Sequence, residues 1–310
     1  MDNPFRKGKA EGFQRAVSPA TEREKEDWQI ANKNWWEKNP MRYDFLDKPI
    51  VASEYSPEFF REVDRRFLRS VKIAFPWKST PFDNFIDFDQ LKSQDVLEIG
   101  VGVGTHAEIL SSNAKSYTGI DLTEYAVNAT RKRLKAFGLS GSVLQMDAEQ
   151  MKFTDASFDF VWSWGVIHHS SDTEKILEEV HRVLKPGGKF TFMVYHESIW
   201  NTFVRGWLYY GLMKGGLFRG KSAHELIHDN TDGALARYYT LSGLKEKLSD
   251  KFRIQSITLL GNKLQLIPLK YGPWKERISA LIPNALGRFI TNRPFFAYMV
   301  VTNCVRIGNS

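Results

Sequence analysis

The chain has 310 residues, 42% of them hydrophobic and 25% charged, which suits a globular fold with a sizeable core. No apolar run reaches the ~18 residues of a membrane span, and the polar start MDNPFRKGKAEGFQ lacks the apolar centre of a secretory signal. A single cysteine, Cys304, excludes an internal disulfide, so a cytoplasmic protein is expected; the net charge of +7 comes from scattered Lys and Arg and reads as solubility before it reads as a nucleic-acid surface.

Residues 1–27 are polar and mixed in charge, the composition of a disordered arm. Residues 28–92 are rich in aromatics and read as a helical cap. NWWEKNPMRYDF carries Trp35, Trp36, Tyr43 and Phe45. In PEFFREVDRRFLRSVKIAF, Phe59, Phe60, Val63, Phe67, Val71 and Phe75 recur at helical spacing behind Pro57. From residue 93 strands and helices alternate. VLEIG is a strand, followed by a glycine loop and the helix THAEILSS. SYTGID is a strand, and TEYAVNATRKRLKAFG is a helix opened by Thr123 and closed by Gly138. GSVLQMD and FDFVWSW are strands. SDTEKILEEVHRVLKPGG is a helix whose Ile176, Leu177, Val180, Val183 and Leu184 share one face, and KFTFMVYH is the fifth strand. Five strands with intervening helices predict an α/β, Rossmann-like, doubly wound sheet, and two later strands, RIQSITLLG and AYMVVTNCVRI, bring a mainly parallel sheet to seven. Insertions are expected at about 197–239 and 262–295. The second is basic and amphipathic, with Trp274, Ile278, Leu281, Ile282, Phe289 and Ile290 on one face. Core packing is the favoured role for that face, with peripheral membrane contact and a lipid-like acceptor as the alternative.

The chemistry centres on VLEIGVGVGTHA. Glu98 ends the first strand, and Gly100, Gly102 and Gly104 alternate before a helix. Glycines let the backbone turn sharply and approach a ligand, and the helix start offers free N–H groups to it. The spacing is not the G-x-G-x-x-G of dinucleotide binders, since Thr105 stands after the third glycine, and no G-K-[ST] of a phosphate loop follows.

Acid-x-Gly-x-Gly-x-Gly resembles the first motif of class I S-adenosylmethionine (SAM)-dependent methyltransferases. Three further features follow in the family's order: Asp121 closing the second strand, Asp147 and Ala148 after the third, and LKPGGKFTF into the fifth. The match is nearest to the broad group that includes the ubiquinone and menaquinone biosynthesis methyltransferases and covers roughly residues 95–195. The resemblance implies that SAM is the cofactor and S-adenosylhomocysteine the product. It places Glu98 near the methionine amino end, the backbone of Gly100, Val101, Gly102 and Gly104 at the sulfonium side, Asp121 on the ribose and Asp147 with Ala148 at the adenine. Thr105, His106, Leu122, Ser163 and Trp164 are expected around them, and an aromatic face such as that of Trp164 could hold the sulfonium cation. The Asn/Asp-Pro-Pro-aromatic motif of nucleic-acid amino-methyltransferases is replaced by Ser163-Trp164-Gly165, so no nucleic-acid partner is expected. The cysteine nucleophile of cytosine C5 enzymes and the magnesium-binding carboxylate of catechol enzymes are also missing from this region.

Methyl transfer is an in-line displacement that depends chiefly on alignment. A base is needed only if the nucleophile arrives protonated, and His168 and His169 after the fourth strand are the candidates; Tyr195 and His196, at the end of the fifth, join them in the catalytic set and are expected to contact substrate. Trp36 and Tyr43 from the cap, and His228, Asp232, Arg237, Tyr238 and Tyr239 from the insertion, are expected to face the acceptor. His224-Glu225-Leu226-Ile227-His228 also matches the zinc motif H-E-x-x-H, but the flanking GKSA and DNTDG leave only a short helix and no third histidine follows, so no metal is expected. The favoured function is methylation of a small molecule on O or N, with S or C as further options. RNA or protein methylation, non-catalytic SAM binding and zinc hydrolysis are the competing readings.

Overall fold

The computed structural model describes residues 19–44, 49–267 and 273–308. Residues 1–18 of the expected arm, and Phe45 of the aromatic segment, lie outside them. The expected arm boundary moves: α1 spans Glu22–Lys38, capped by Thr21, whose hydroxyl accepts the Glu24 N–H, so residues 22–27 are helical. Two acids in its first turn and Lys38 in its last complement the helix dipole. The helix α2, Pro57–Ala74, starts at Ser56 with Pro at N1 as predicted, and buries Phe59, Phe60, Val63, Phe67 and Val71.

One seven-stranded sheet carries the fold, in the order β3-β2-β1-β4-β5-β7-β6. Its strands are β1 Asp95–Ile99, β2 Ser116–Asp121, β3 Ser142–Gln145, β4 Phe158–Trp164, β5 Leu184–Tyr195, β6 Phe252–Leu260 and β7 Met299–Arg306. The first five pair in parallel, whereas β7 lies antiparallel to both β5 and β6, so the sheet is mixed. Strands buried on both faces read as continuous apolar runs, and this is why VLEI and FVW carry no alternation. Neighbours along the strands go to opposite cores: Val96, Phe160 and Trp162 pack with α2, Phe75 and Phe82, while Leu97, Ile99 and Val161 pack with α6, Thr173–Val183.

The short α3 (Phe88–Leu91) precedes β1, and the helices α4 (Thr105–Ser111) and α5 (Glu124–Ala136) follow β1 and β2. A buried arginine ties the cap to them. Arg133 of α5, 1% exposed, reaches Asp64 of α2 and, at 2.9 Å, Glu108 of α4, and its guanidinium also donates to the Val103 carbonyl. Thr105 donates to the other Asp64 oxygen at 2.8 Å.

The first insertion holds a π-helix over Trp200–Met213 and the short α7, Ala223–Asp229; α8, Leu241–Leu248, then leads into β6. The second holds α9 (Pro273–Ala280) and α10 (Asn284–Thr291). Its apolar face does not pack into the core: Trp274, Leu281 and Phe289 are 72%, 81% and 65% exposed.

Candidate functional site

A cavity of about 550 Å³ lies at the carboxyl ends of β1, β2, β4 and β5, where the strand order reverses between β1 and β4. Its floor is the glycine loop. Gly100, Gly102 and Gly104 all have positive φ, 82°, 53° and 84°. Their surroundings differ. A Cβ on Gly100 would strike the Val166 side chain at 2.2 Å, and one on Gly104 would strike Arg133 at 2.9 Å. Gly102 lines the cavity, and a Cβ there would meet nothing within 4 Å. The first and third glycines are therefore small for internal packing, while the second leaves the backbone bare toward the cavity.

Asp121 orders this loop. One carboxylate oxygen accepts the Gly102 N–H at 3.1 Å, and the other accepts the N–H and hydroxyl of Thr123 at 2.9 and 2.8 Å. Burial raises its pKa, opposed by these donors. Asp147 sits at the far end, with both oxygens 2.9 Å from the Gln29 amide nitrogen of α1. Asn32, one turn further along α1, donates to the His169 carbonyl at 2.6 Å. The side-chain carbonyls of Gln29 and Asn32 are buried with no hydrogen-bond partner among the described residues, and both residues line the cavity. Glu37 accepts the N–H groups of Glu124 and Tyr125 at the start of α5. Thus α1 lies as a strap across the cofactor end.

Of the expected cofactor residues, Gly100, Val101, Gly102, Thr105, His106, Asp121, Leu122, Asp147, Ala148 and Trp164 line the cavity. Glu98, Gly104 and Ser163 do not. The Glu98 carboxylate is 1% exposed and accepts the Tyr117 hydroxyl at 2.6 Å, and burial pushes its pKa up to about 8. Ser163 donates to the Ile99 carbonyl inside the sheet, and Gly104 caps α4. His106 sits among rings, 4.6 Å from Phe82, 5.3 Å from Phe67 and 5.9 Å from Trp164, and burial pushes its pKa down to about 3. It is a neutral member of an aromatic wall that also includes Phe75, 5.7 Å from Trp164.

The opposite end of the cavity combines four elements. Tyr195, at the end of β5, donates to Asp232 at 2.7 Å and stacks on Tyr238 at 5.3 Å. Trp36 meets His169 edge-on at 5.0 Å, and Tyr43 stacks on Phe67 at 5.1 Å. His169, Tyr195, Trp36, Tyr43, Asp232 and Tyr238 all line the cavity. The His169 Nδ1 lies 2.5 Å from the Leu235 carbonyl. A carbonyl only accepts, so Nδ1 carries the proton and Nε2 is the basic nitrogen. Gly233, with φ 81°, packs against this ring: a Cβ there would lie 2.6 Å from Nδ1.

Other expected site residues are structural. His168 is fully buried away from the cavity wall, its ring nitrogens without partners among the described residues and its pKa well below the ordinary value because of burial. His196 Nδ1 is 2.9 Å from the Tyr239 carbonyl, where β5 meets the insertion. The Tyr239 hydroxyl bonds Thr173 at 2.7 Å. Arg237 grips the carbonyls of Ser170 and Ser171, tying the 230–240 loop to the turn after β4. His228 is buried on α7. In the zinc-like motif, Glu225 completes a capping box with Ser222 while His224 points to Glu197 at 3.9 Å. Among the described residues no group of three or more His, Cys, Asp or Glu could hold a metal.

Sequence reasoning missed Gln29, Asn32, Asn201 and Arg205, all in the cavity wall. The first two had a readable signal: Gln29, Asn32 and Trp36 fall at i, i+3 and i+7, one face of a helix. Asn201 and Arg205 had none, because the π-helical turn that brings them inward has no sequence period of its own.

The comparisons with known proteins agree with this geometry. Residues 97–192 match the family model described as a methyltransferase domain. The matched region holds the glycine loop, Asp121 and Asp147 and amounts to under half of the chain. Sterol 24-C-methyltransferase from Aspergillus fumigatus is 38% identical over 98 residues, 31% of this chain and 26% of that protein. Phthiotriol/phenolphthiotriol dimycocerosates methyltransferase from Mycobacterium tuberculosis is 36% identical over 104 residues, 33% of this chain and 38% of that protein. The chain thus spans well under half of the length of these relatives. Across the whole fold it is similar to geranyl diphosphate C-methyltransferase from Streptomyces coelicolor, with a TM-score of 0.54 at 14% identity, covering 93% of this chain and 100% of that one. These likenesses reach a methyltransferase domain over residues 97–192 and the overall fold, and do not single out the quinone-biosynthesis group.

Proposed function

We propose that this methyltransferase methylates a small molecule held between the aromatic wall and the Tyr195–Asp232 pair, on oxygen or nitrogen. The observation that carries the reading is the single cavity: the glycine loop and Asp121 form one end, and His169, Tyr195 and Asp232 form the other. Its volume, about 550 Å³, falls among the ~300–1,000 Å³ of small-molecule sites.

The residues present fit SAM. Gly102 leaves the backbone bare where the ligand passes, Asp121 keeps lone pairs for the ribose hydroxyls, and Asp147 with the open Gln29 carbonyl can take the adenine amino group. When bound, SAM supplies an electrophilic methyl on a sulfonium centre. The rings of Trp164 and Phe75 present π faces to that cation, roughly 0.5–2 kcal/mol each. A neutral His106 adds no opposing charge. His169, through Nε2, accepts the proton of an acceptor hydroxyl or amine, and the Leu235 carbonyl fixes its tautomer. Tyr195 and Asp232 orient the acceptor's polar group. Burial under α1 excludes water.

A second reading is methylation at carbon, favoured by the likeness to a sterol 24-C-methyltransferase. The aromatic wall that faces the sulfonium would equally stabilise a carbocation, and the same histidine would remove the proton.

Calorimetric titration with SAM and S-adenosylhomocysteine tests the cofactor end. Wild type should bind both, and Asp121→Ala should lose at least tenfold in affinity. Wild-type-like binding by Asp121→Ala would reject the role given to that carboxylate. Methyl-labelled SAM offered with an acceptor library then tests the other end. His169→Gln should keep cofactor affinity and lose turnover of O- and N-acceptors, while label appearing on carbon would select the second reading.

A further inference from the structure

The large apolar side chains that this protein leaves exposed are not scattered. Among the described residues, Ile199, Phe203, Trp207, Leu208, Leu212, Met213 and Phe218 lie in the first insertion, and Trp274, Ile278, Leu281, Leu286, Phe289 and Phe295 in the second. Only Ile30 and Val51 lie elsewhere. The two segments touch: the Trp200 N–H donates to the Phe295 carbonyl at 2.9 Å, and the Trp200 ring is 5.1 Å from that of Phe296.

The helices in both segments are turned against ordinary amphipathic logic. The π-helix buries Asn201, Gly206 and Gly211 and exposes Phe203, Trp207, Leu208 and Leu212. In α10, Gly287 and Thr291 face inward, while Leu286 and Phe289 face out. Glycines bring the helix backbones close: Gly206 packs on Ile227 and Gly287 on Lys263. A surface helix of a protein surrounded by water places its large apolar residues inward. Small residues inside with large ones outside is the pattern of a helix that meets a second apolar phase.

Charge says which phase. From Ser198 to Ala223 the sequence has no Asp or Glu and carries Arg205, Lys214, Arg219 and Lys221. From Asn262 onward the only acid is Glu276, against Lys263, Lys270, Lys275, Arg277, Arg288, Arg293 and Arg306. The cations also sit beside the exposed rings, Arg277 at 5.4 Å from Trp274 and Arg293 at 4.8 Å from Phe289. A guanidinium at an exposed aromatic ring can bind headgroup phosphates while the ring enters the acyl boundary.

We propose that this face docks on an anionic lipid bilayer, with the large apolar side chains of the π-helix, α9 and α10 in the interface and the flanking Lys and Arg on the headgroups. The π-helix also lines the cavity with Asn201 and Arg205, so the docked face and the acceptor end share one wall.

Co-sedimentation with phosphatidylcholine vesicles, with and without phosphatidylserine, tests this on the full chain. Wild type should partition onto the serine-containing vesicles and release as salt rises. Trp274→Ser with Phe289→Ser, and separately Arg277→Glu with Arg293→Glu, should each weaken binding by roughly tenfold or more while SAM affinity, read by calorimetry, stays at the wild-type value. SAM binding reports folding and cofactor function independently of the membrane. Failure of the wild type to bind serine-containing vesicles at low salt would overturn the proposal. So would vesicle binding unchanged in both variants, or a wild-type dimer in analytical ultracentrifugation that the Trp274/Phe289 variant dissolves, which would give the face to a second copy of the chain.

Discussion

Glu98 shows how a motif residue can serve the fold behind the site it advertises. It holds the expected position at the end of β1, yet its carboxyl is enclosed with the Tyr117 hydroxyl, and burial holds its pKa at about 8 against an ordinary 4.5. Between those values the folded protein keeps a proton that the unfolded chain has released. Its contribution to stability is therefore complete below pH 4.5 and is lost as pH rises through 8. Glu98→Gln stays neutral throughout. Its melting temperature should match wild type near pH 5 and exceed it near pH 9, and parallel pH profiles for the two proteins would show that the carboxyl is ionised in the fold. The histidines teach a related lesson. His168 and His169 are adjacent in sequence, but the turn Ile167–His169 aims only the second at the cavity. Sequence placed both at the right strand end and could not choose, because side-chain direction in a three-residue turn depends on the Leu235 carbonyl and Gly233, more than sixty residues away.

Among the elements, strands and helices of the 93–195 region were legible because their periods and caps agree at every step: Thr123 and Asp172 cap α5 and α6, and Gly138 closes α5 in the left-handed conformation. The π-helix and α10 were not, since the residues they bury, Asn201, Gly206 and Gly211 in one and Gly287 and Thr291 in the other, carry no hydrophobic period. The cap was half legible. Its aromatic spacing announced α2, but not the buried charges that fasten it. Arg133 is enclosed by Asp64 of α2 and Glu108 of α4 and joins three helices. Arg133→Ala would leave Asp64 and Glu108 with only the half-exposed Arg61 as cation, a loss of up to about 3–5 kcal/mol of the kind seen when one partner of a buried pair is removed. Denaturant unfolding should show this, while Lys175→Ala, whose ion partner Glu178 is 51% exposed, should cost roughly 0–1 kcal/mol. Equal losses would mean that the Arg133 cluster is wetter than its 1% exposure implies.

For the whole molecule, the cofactor end is closed by α1, which the sequence reading had begun inside an arm. Gln29 and Asn32 hold Asp147 and the His169 backbone, and Trp28 packs on Leu235, so this strap touches both ends of the cavity. Saturating S-adenosylhomocysteine should slow amide hydrogen exchange across residues 22–38 as well as in the glycine loop. Exchange slowed in the loop alone would make α1 a fixed cover indifferent to ligand.

The strand order has a consequence for how this chain is made. The strand β7, from Met299, leaves the ribosome after β5 and β6, but it lies between them and supplies the only strand partner that β6 has among the described residues. Until it arrives, the β5 edge is an open row of backbone donors and acceptors, and β6 has nothing to pair with. Synthesis can therefore assemble the glycine loop and Asp121 early, from β1 to β4, while the wall that includes Tyr298 and Met299 waits for β7. During translation one end of the cavity can therefore take shape while its wall at Tyr298 and Met299 is still missing.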